Sequence, residues 1–251
     1  FEVLENLCQI NHIPYLTYGG SAADYPVIAM DDPRTFELKS STDPLAINGD
    51  YALTMFGHFN HENAAAALLA TAWLETPRNH MKESLSKCVI PGRMTLFDLP
   101  NGALAFVDFA HNYLSLLSMG QLAKEIRPHG KAIVMTGSAG GKALSRRKDM
   151  GLAITQIYDV AILTSDDPNF ENPNAIADEI QQAIENPEVA VYREMDREQA
   201  IYLALSLAGP QDVVVLAGKG NEASMKIEGH DTPYDGDAIY AQKWIATQKE
   251  A

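Results

Sequence analysis

Five short apolar runs alternate with longer stretches of helical periodicity through the second half of the sequence, and this rhythm restricts the fold more than any other feature. The runs are Leu104 to Phe109, Ala132 to Thr136, Val160 to Leu163, Val189 to Tyr192 and Val213 to Ala217. The helical stretches lie around Leu114 to Ile126, Ala143 to Ile157, Asn174 to Ile184 and Glu198 to Leu207, and another runs from Asp237 to Gln248. A strand can be apolar throughout only if both its faces are buried, and parallel neighbours need a crossover that a helix supplies. The expected fold is therefore α/β, a doubly wound, Rossmann-like and mostly parallel sheet. Ligands of such sheets gather at the carboxyl edge, where loops and helix N-termini converge. The loops after Thr136 and Leu163 are thus where function is expected.

The sequence before Val89 lacks this rhythm. Phe1, Val3, Leu4, Leu7 and Cys8 make a helical face already in progress, so the chain is expected to begin inside a domain. Ile13 to Tyr18 reads as a strand, Tyr18 to Ser21 as a turn, and Tyr25 to Glu37 as an irregular or hairpin region broken at Asp31-Asp32-Pro33. A further strand is expected from Ala52 to Phe59, then helices from Asn60 to Leu74 and from Asn79 to Lys87. The turn-rich Val89-Ile-Pro-Gly-Arg93 marks the expected boundary, giving domains 1–92 and 93–251. A length of 251 residues suits one domain and part of a second.

Charge narrows the possible partners. A formal net charge of -14 and a pI near 4.8 leave no basic stripe to displace counterions from phosphates, which argues against nucleic acid and anionic membranes. Cys8 and Cys88 have neither CxxC spacing nor histidine-rich neighbours, so no metal site is expected and a reducing compartment is. There is no apolar run of membrane-spanning length and no signal peptide, and the reading is cytoplasmic.

Several loops carry residues suited to chemistry. Gly137-Ser-Ala-Gly-Gly141-Lys142 has the glycines of a phosphate loop but the wrong spacing. Three residues instead of four precede the Gly-Lys pair, and Ala143 follows where Ser or Thr is needed. A tight turn explains the lysine, while the loop amides remain able to meet an anion. Arg146 and Arg147 open a helix, a poor place for positive charge, so either a bound carboxylate compensates them or they pair with Asp149 or other acids. Asp166 and Asp167 close the next strand and either attract a metal or an ammonium group or cap the helix near Pro173. Gly218-Lys219-Gly220-Asn221-Glu222 is either a ligand loop or an ordinary turn. Asp108 and His111 stand where a ribose and a phosphate would be touched, although a lone histidine is more often structural.

Six segments in order resemble the Mur ligase family, within it the MurE type. They are Gly57-His-Phe-Asn-His-Glu-Asn63-Ala64-Ala65, Pro91-Gly-Arg93, Val107-Asp-Phe-Ala-His111-Asn112, Ser145-Arg-Arg-Lys-Asp149, Ser165-Asp-Asp-Pro-Asn169 and Ala217-Gly-Lys-Gly-Asn-Glu222. The resemblance implies ATP-dependent synthesis of an amide. The D-glutamate carboxylate of UDP-N-acetylmuramoyl-dipeptide is phosphorylated, and the amine of an incoming amino acid attacks the acyl phosphate. It places Asn60 and Asn63 near the adenine, with Arg93, Asp108 and His111 completing the nucleotide site across a domain seam. Arg147, Asp166, Asp167, Asn169, Gly218 and Glu222 are implied to hold the incoming amino acid.

The family's phosphate loop, magnesium ligands, carbamylated lysine and UDP-binding domain have no counterpart here, so the resemblance is to the C-terminal half of such an enzyme. On that reading residues 1–92 are the last part of the ATPase domain and 93–251 the acceptor domain, ATP and Mg2+ are used through residues outside the chain, and the fragment alone is expected to be inactive. A monomer is expected. Phe109, Asn112 and Asn221 depart from the commoner Tyr, Thr and His.

The acceptor expected is L-lysine. Members using meso-diaminopimelate typically show Asp-Asn-Pro-Arg where this sequence has Asp166-Asp167-Pro168-Asn169. An arginine suits a distal carboxylate, whereas an added aspartate suits a bare distal ammonium. The alternatives are a diaminopimelate-adding ligase and a noncatalytic protein that keeps the acceptor fold. A dehydrogenase nucleotide domain would need a GxGxxG after its first strand, and none is found.

Overall fold

A computed structural model describes residues 2–250, which form two compact units divided between Val89 and Ile90. The first unit opens with α1 (Glu2–Ile10), which buries none of its residues; Phe1, counted in its apolar face, lies outside the described residues. A sheet follows in the order β1 (Tyr18–Gly19), β2 (Tyr25–Ala29), β3 (Thr35–Leu38) and β4 (Gly49–Ala52), parallel between β1 and β2 and antiparallel elsewhere. The hairpin turn at Asp31-Asp32-Pro33 is held by Arg34, whose Nε and Nη2 donate to Asp32 at 3.1 and 2.9 Å. Helix α2 (His58–Trp73) lays Ala64, Ala65, Leu68 and Leu69 against Tyr25, Phe36, Leu38 and Tyr51, with Met81 of α3 (Arg78–Lys87) beside them.

Two expectations fail in this unit. Only Tyr18 of the strand expected from Ile13 to Tyr18 is paired, together with Gly19. The strand expected from Ala52 to Phe59 ends at Ala52, and α2 begins at His58. Gly57, at φ 94, turns the chain there, and the amides of Asn60 and His61 donate to its carbonyl. Phe56 and Phe59 supply the apolar pattern of a strand but flank a helix start.

In the second unit the expected strands appear with small shifts of their ends: β6 (Leu104–Asp108), β7 (Ala132–Thr136), β8 (Val160–Leu163), β9 (Ala190–Arg193) and β10 (Val213–Ala217). The sheet order is β5-β6-β10-β7-β8-β9, with every pair parallel except β5 (Thr95–Asp98) with β6. The chain therefore steps outward from β7 to β9 and returns to place β10 between β6 and β7. Helices α4 (Tyr113–Ile126), α5 (Leu144–Ile157) and α6 (Pro173–Gln182) pack in a row, α5 between the other two, while α7 (Arg197–Leu207) packs with α8 (Asp237–Glu250). Residues of α7 and α8 share a core with Ala105, Val107, Ile133, Met135, Val214 and Leu216. Alternation along the strands turns Phe106, Val134, Ala161 and Val215 to the other face. Both faces are covered, as an all-apolar parallel sheet requires. Among the described residues no helix is long and apolar enough to cross a membrane.

One buried ion pair fixes the carboxyl edge of this sheet. Arg197 at the start of α7 donates from Nε and Nη2 to the two oxygens of Asp237 at the start of α8, both at 2.8 Å. Its guanidinium also donates to the carbonyls of Ser165 at 3.1 Å and Ala217 at 3.0 Å, and the Tyr234 hydroxyl donates to Asp237. Both charged side chains are almost wholly buried. Replacing Asp237 by Ala leaves this guanidinium buried without its carboxylate, a loss of about 3–5 kcal/mol on the scale of broken buried pairs. The expected outcome is a correspondingly lower denaturant midpoint for Asp237→Ala, and an unchanged midpoint contradicts this account of the pair.

Candidate functional site

Each inner strand of the second unit ends in a loop that a buried group shapes. After β6, the Asp108 carboxylate accepts the amides of Met94 and Ala110, both at 2.9 Å, so the chain bends back around it. Burial raises its pKa, against the pull of those amides and of Arg93. Asn112 then caps α4, accepting the Ser115 amide at 3.0 Å. After β7, the Gly137–Gly141 segment passes so close to the β8 loop that a Cβ on Gly140 would lie 1.9 Å from the Pro168 carbonyl. After β10, Gly218 has φ +120, and a Cβ there would meet a carboxylate oxygen of Asp166 at 2.3 Å. Close packing of loops by glycine is what brings the side chains of three strands together.

They meet in a pocket of about 130 Å³ lined by Phe109 and His111, by Gly137 to Ala139 with Lys142 and Arg146, by Asp166 and Asp167, and by Gly218 and Glu222. Two cations and three carboxylates therefore share one small volume. Asp166 is 9% exposed, and burial raises its pKa against the opposing fields of Arg197 and Lys219. Asp167 shows the opposite balance. Partial burial pushes its carboxyl up, but the Lys219 ammonium at 2.8 Å and the Lys226 amide at 2.8 Å hold it below the usual range. Neither aspartate caps α6, whose N-terminus is capped by Asn172.

Several residues singled out from the sequence lie elsewhere. Arg147 does not line the pocket: it is 2% exposed and paired with Glu171 and with Glu179 at 3.1 Å, and it donates to the Ala139 carbonyl. Glu171 also accepts the Gly141 amide at 2.9 Å, which together with Arg147 lowers its pKa. Of the two arginines that open α5, only Arg146 lines the pocket. Asn169, with φ 53, joins the β8 loop to the hairpin of β11 (Ser224–Ile227) and β12 (His230–Pro233). Its amide donates to the Lys226 carbonyl at 2.9 Å, and its side-chain oxygen accepts the Gly229 amide at 3.0 Å.

The residues assigned to a nucleotide divide between the units. Asn60 is buried and donates to the Phe56 carbonyl at 2.8 Å, while the exposed Asn63 donates to Asn60 at 3.4 Å, both within the first unit. In the second, Arg93 lies over the Phe109 ring at 4.8 Å, and His111 Nδ1 is 2.6 Å from the Phe109 carbonyl oxygen. Phe109 thus gives Arg93 a flat apolar support.

Beyond the β8 loop lies a larger groove of about 990 Å³, so that Asp166 and Asp167 line the pocket while Ser165, Pro168 and Asn169 line the groove. Its acidic lining residues are Glu171, Asp196, Glu198 and Glu228, and Arg197, its one basic lining residue, is committed to Asp237. Sequence reasoning missed Lys142 as a pocket cation and Glu171 as the partner of Arg147. The lysine was visible beside its glycines, but nothing in the sequence tells that Glu171 folds back onto the loop of Gly141.

Residues 92–220 match the family described as Mur ligase, glutamate ligase domain. The UDP-N-acetylmuramoyl-L-alanyl-D-glutamate--L-lysine ligase of Enterococcus faecalis is 39% identical over 250 residues, 98% of this chain and 49% of that protein. The ligase of the same name from Streptococcus sanguinis is 39% identical over 239 residues, 94% of this chain and 47% of that protein. The chain spans about half the length of the curated relatives it matches. Among solved structures, a UDP-N-acetylmuramoyl-L-alanyl-D-glutamate--2,6-diaminopimelate ligase has a TM-score of 0.62 at 27% identity, covering 99% of this chain and 51% of that one.

The pocket depends on the missing side chain at position 218. Alanine there combines a backbone angle that L side chains rarely adopt with a clash against Asp166, at about 1–3 kcal/mol for the strain alone. Gly218→Ala is expected to lower the thermal midpoint measurably; wild-type stability in that variant contradicts the packing described.

Proposed function

Since the chain belongs to the Mur ligase family, we propose that it is the acceptor-binding part of an ATP-dependent ligase that adds L-lysine to UDP-N-acetylmuramoyl-L-alanyl-D-glutamate. The observation that carries this reading is the charge division of the pocket, where Lys142 and Arg146 face Asp166, Asp167 and Glu222. An amino acid acceptor is a zwitterion and needs both signs within a few ångströms. The α-carboxylate falls to Lys142 and Arg146, not to Arg147, whose guanidinium is already committed to Glu171 and Glu179. The ammonium groups fall to the carboxylates, and Gly218 lets backbone and ligand approach closely.

On the same reading residues 1–92 complete an ATPase domain and 93–251 form the acceptor domain. Asn60 and Asn63 lie near the adenine; Arg93 and His111 reach the nucleotide from a loop that Asp108 shapes through its two amide contacts. On the family resemblance, Mg2+ falls to residues outside this sequence. Phosphoryl transfer from ATP to the D-glutamate carboxylate gives ADP and an acyl phosphate. The acceptor amine then attacks its carbonyl carbon, the amide bond forms and phosphate leaves. The proposed enzyme is a cytoplasmic monomer of peptidoglycan precursor synthesis whose partners are these small molecules, with no role for nucleic acid or membranes.

The choice of lysine over meso-diaminopimelate rests on local charge. A second carboxylate at the distal end of the acceptor needs a cation, but residue 169 is an asparagine bound to the β11–β12 hairpin, and the acids of the adjoining groove find no free cation among the lining residues. Asp167 adds a further negative charge beside Asp166. Withheld and added charges of this kind discriminate by orders of magnitude, because the wrong substrate leaves a desolvated charge unpaired. In a side-by-side assay of the full-length ligase at equal concentrations, L-lysine is expected to be incorporated in large excess, and Asp167→Asn with Asn169→Arg to erode that preference. Preferential incorporation of meso-diaminopimelate by the wild type overturns the assignment.

A further inference from the structure

Lys219 sits between two glycines in a loop at the sheet edge, yet its side chain is 1% exposed. Its ammonium is shared by Asp167, at 2.8 Å, and Glu222. Burial alone would drive such a lysine toward its neutral form; here the two carboxylates outweigh burial and its pKa is raised. The groups that face this cluster are Asp166 and Asp167 from the β8 loop, Glu222 from its own loop, Lys142 from the β7 loop, Arg146 from α5 and His111 from the β6 loop, with Arg197 of α7 acting on Asp166. Asp167 and Glu222 are also the carboxylates to which the proposed function gives the acceptor's ammonium groups.

Like charges at short range and partial burial both disfavour ionisation of neighbouring carboxylates, and a cation in direct contact opposes that effect. A protonated carboxyl keeps an acceptor oxygen but loses the charge that attracts an ammonium. Lys219 supplies that contact to Asp167 and Glu222 from inside the protein. Its ammonium draws Asp167 from one loop and Glu222 from the other to a common point, leaving their remaining oxygens available on the pocket side. We infer that Lys219 is a positioning and specificity-determining residue, a built-in ammonium that holds Asp167 and Glu222 aligned to receive the ammonium of a diamino acid. This inference rests on the acceptor-pocket reading, and it adds a residue that does not itself touch the ligand.

The test is steady-state kinetics of the full-length ligase with L-lysine varied, between about pH 5 and 9, a window that begins above the ordinary carboxylate pKa. In the wild type kcat/KM for lysine shows no acid limb assignable to Asp167, because that carboxyl is held below the usual range. In Lys219→Met the pull of the ammonium is gone and burial dominates, so an acid limb enters the window. The KM for lysine rises roughly 10- to 100-fold, the scale of a lost charge-assisted contact, while the KM for ATP changes less than twofold. Lys219→Arg keeps the cation and is expected to keep the flat profile whatever its KM, which a merely structural role for the lysine would not require.

A Lys219→Met enzyme with the wild-type lysine KM and a flat profile overturns the inference while leaving the acceptor pocket in place. A wild type that incorporates neither lysine nor diaminopimelate removes the acceptor reading and the inference with it. Should Lys219→Met fail to fold, NMR titration of the Asp167 carboxylate in the wild type decides: a pKa below the ordinary range supports the inference, and one at or above it overturns it.

Discussion

The buried pair of Arg197 and Asp237 is the interaction on which the carboxyl edge of the sheet depends. An arginine at a helix N-terminus is electrostatically misplaced, and a buried one without a partner is costly. Asp237 answers both problems by pairing with it in bidentate fashion, which fixes α8 against α7. The donors that remain on the guanidinium hold the carbonyls of Ser165 and Ala217, the residues from which the Asp166–Asn169 and Gly218–Glu222 loops depart. Two loops from different strands are thereby set at a fixed spacing by one planar group. Arg197 also acts at longer range, since it is the largest charge opposing the burial of Asp166.

From that spacing follows the electrostatics of the pocket. Gly218 lies close enough to Asp166 that no side chain fits between them, and the next residue sends its ammonium to Asp167. On the other wall Arg147 and Glu171 hold the Gly137–Gly141 segment in place, which leaves Lys142 and Arg146 at the pocket. Buried ion pairs here contribute geometry more than stability, because desolvating each charge offsets most of the attraction between them. Their use is that opposite charges stay separated across a small volume, instead of collapsing onto one another, and so can receive a zwitterion.

Much of this architecture is legible in the sequence, for a physical reason. Strands buried on both faces are apolar without interruption, so β6, β7, β8 and β10 stand out and the helices between them follow from their periodicity. Elements with one wet face do not stand out: β5 alternates at the sheet edge, and the β11–β12 hairpin turns at Glu228-Gly229, both at positive φ, without the Asn-Gly that announces such turns. Ala52 to Phe59 misleads because Phe56 and Phe59 imitate a strand around a glycine that starts a helix. At the site, glycines and charged residues mark the right loops. Sequence does not tell which of two adjacent arginines faces inward, since neighbours on a helix point about 100° apart and only the packing of α5 on α6 selects between them. Nor does it show that Lys219 is buried, because a lysine flanked by glycines ordinarily points to solvent.

The pocket at the carboxyl edge is proposed to receive the acceptor amino acid through its separated charges. The decisive measurement is a crystal structure of the full-length ligase with L-lysine bound. Lysine is expected between the loops of β7, β8 and β10, its carboxylate at Lys142 or Arg146 and an ammonium within hydrogen-bonding distance of Asp167 or Glu222. Lysine bound elsewhere, with these four side chains out of reach, would contradict it.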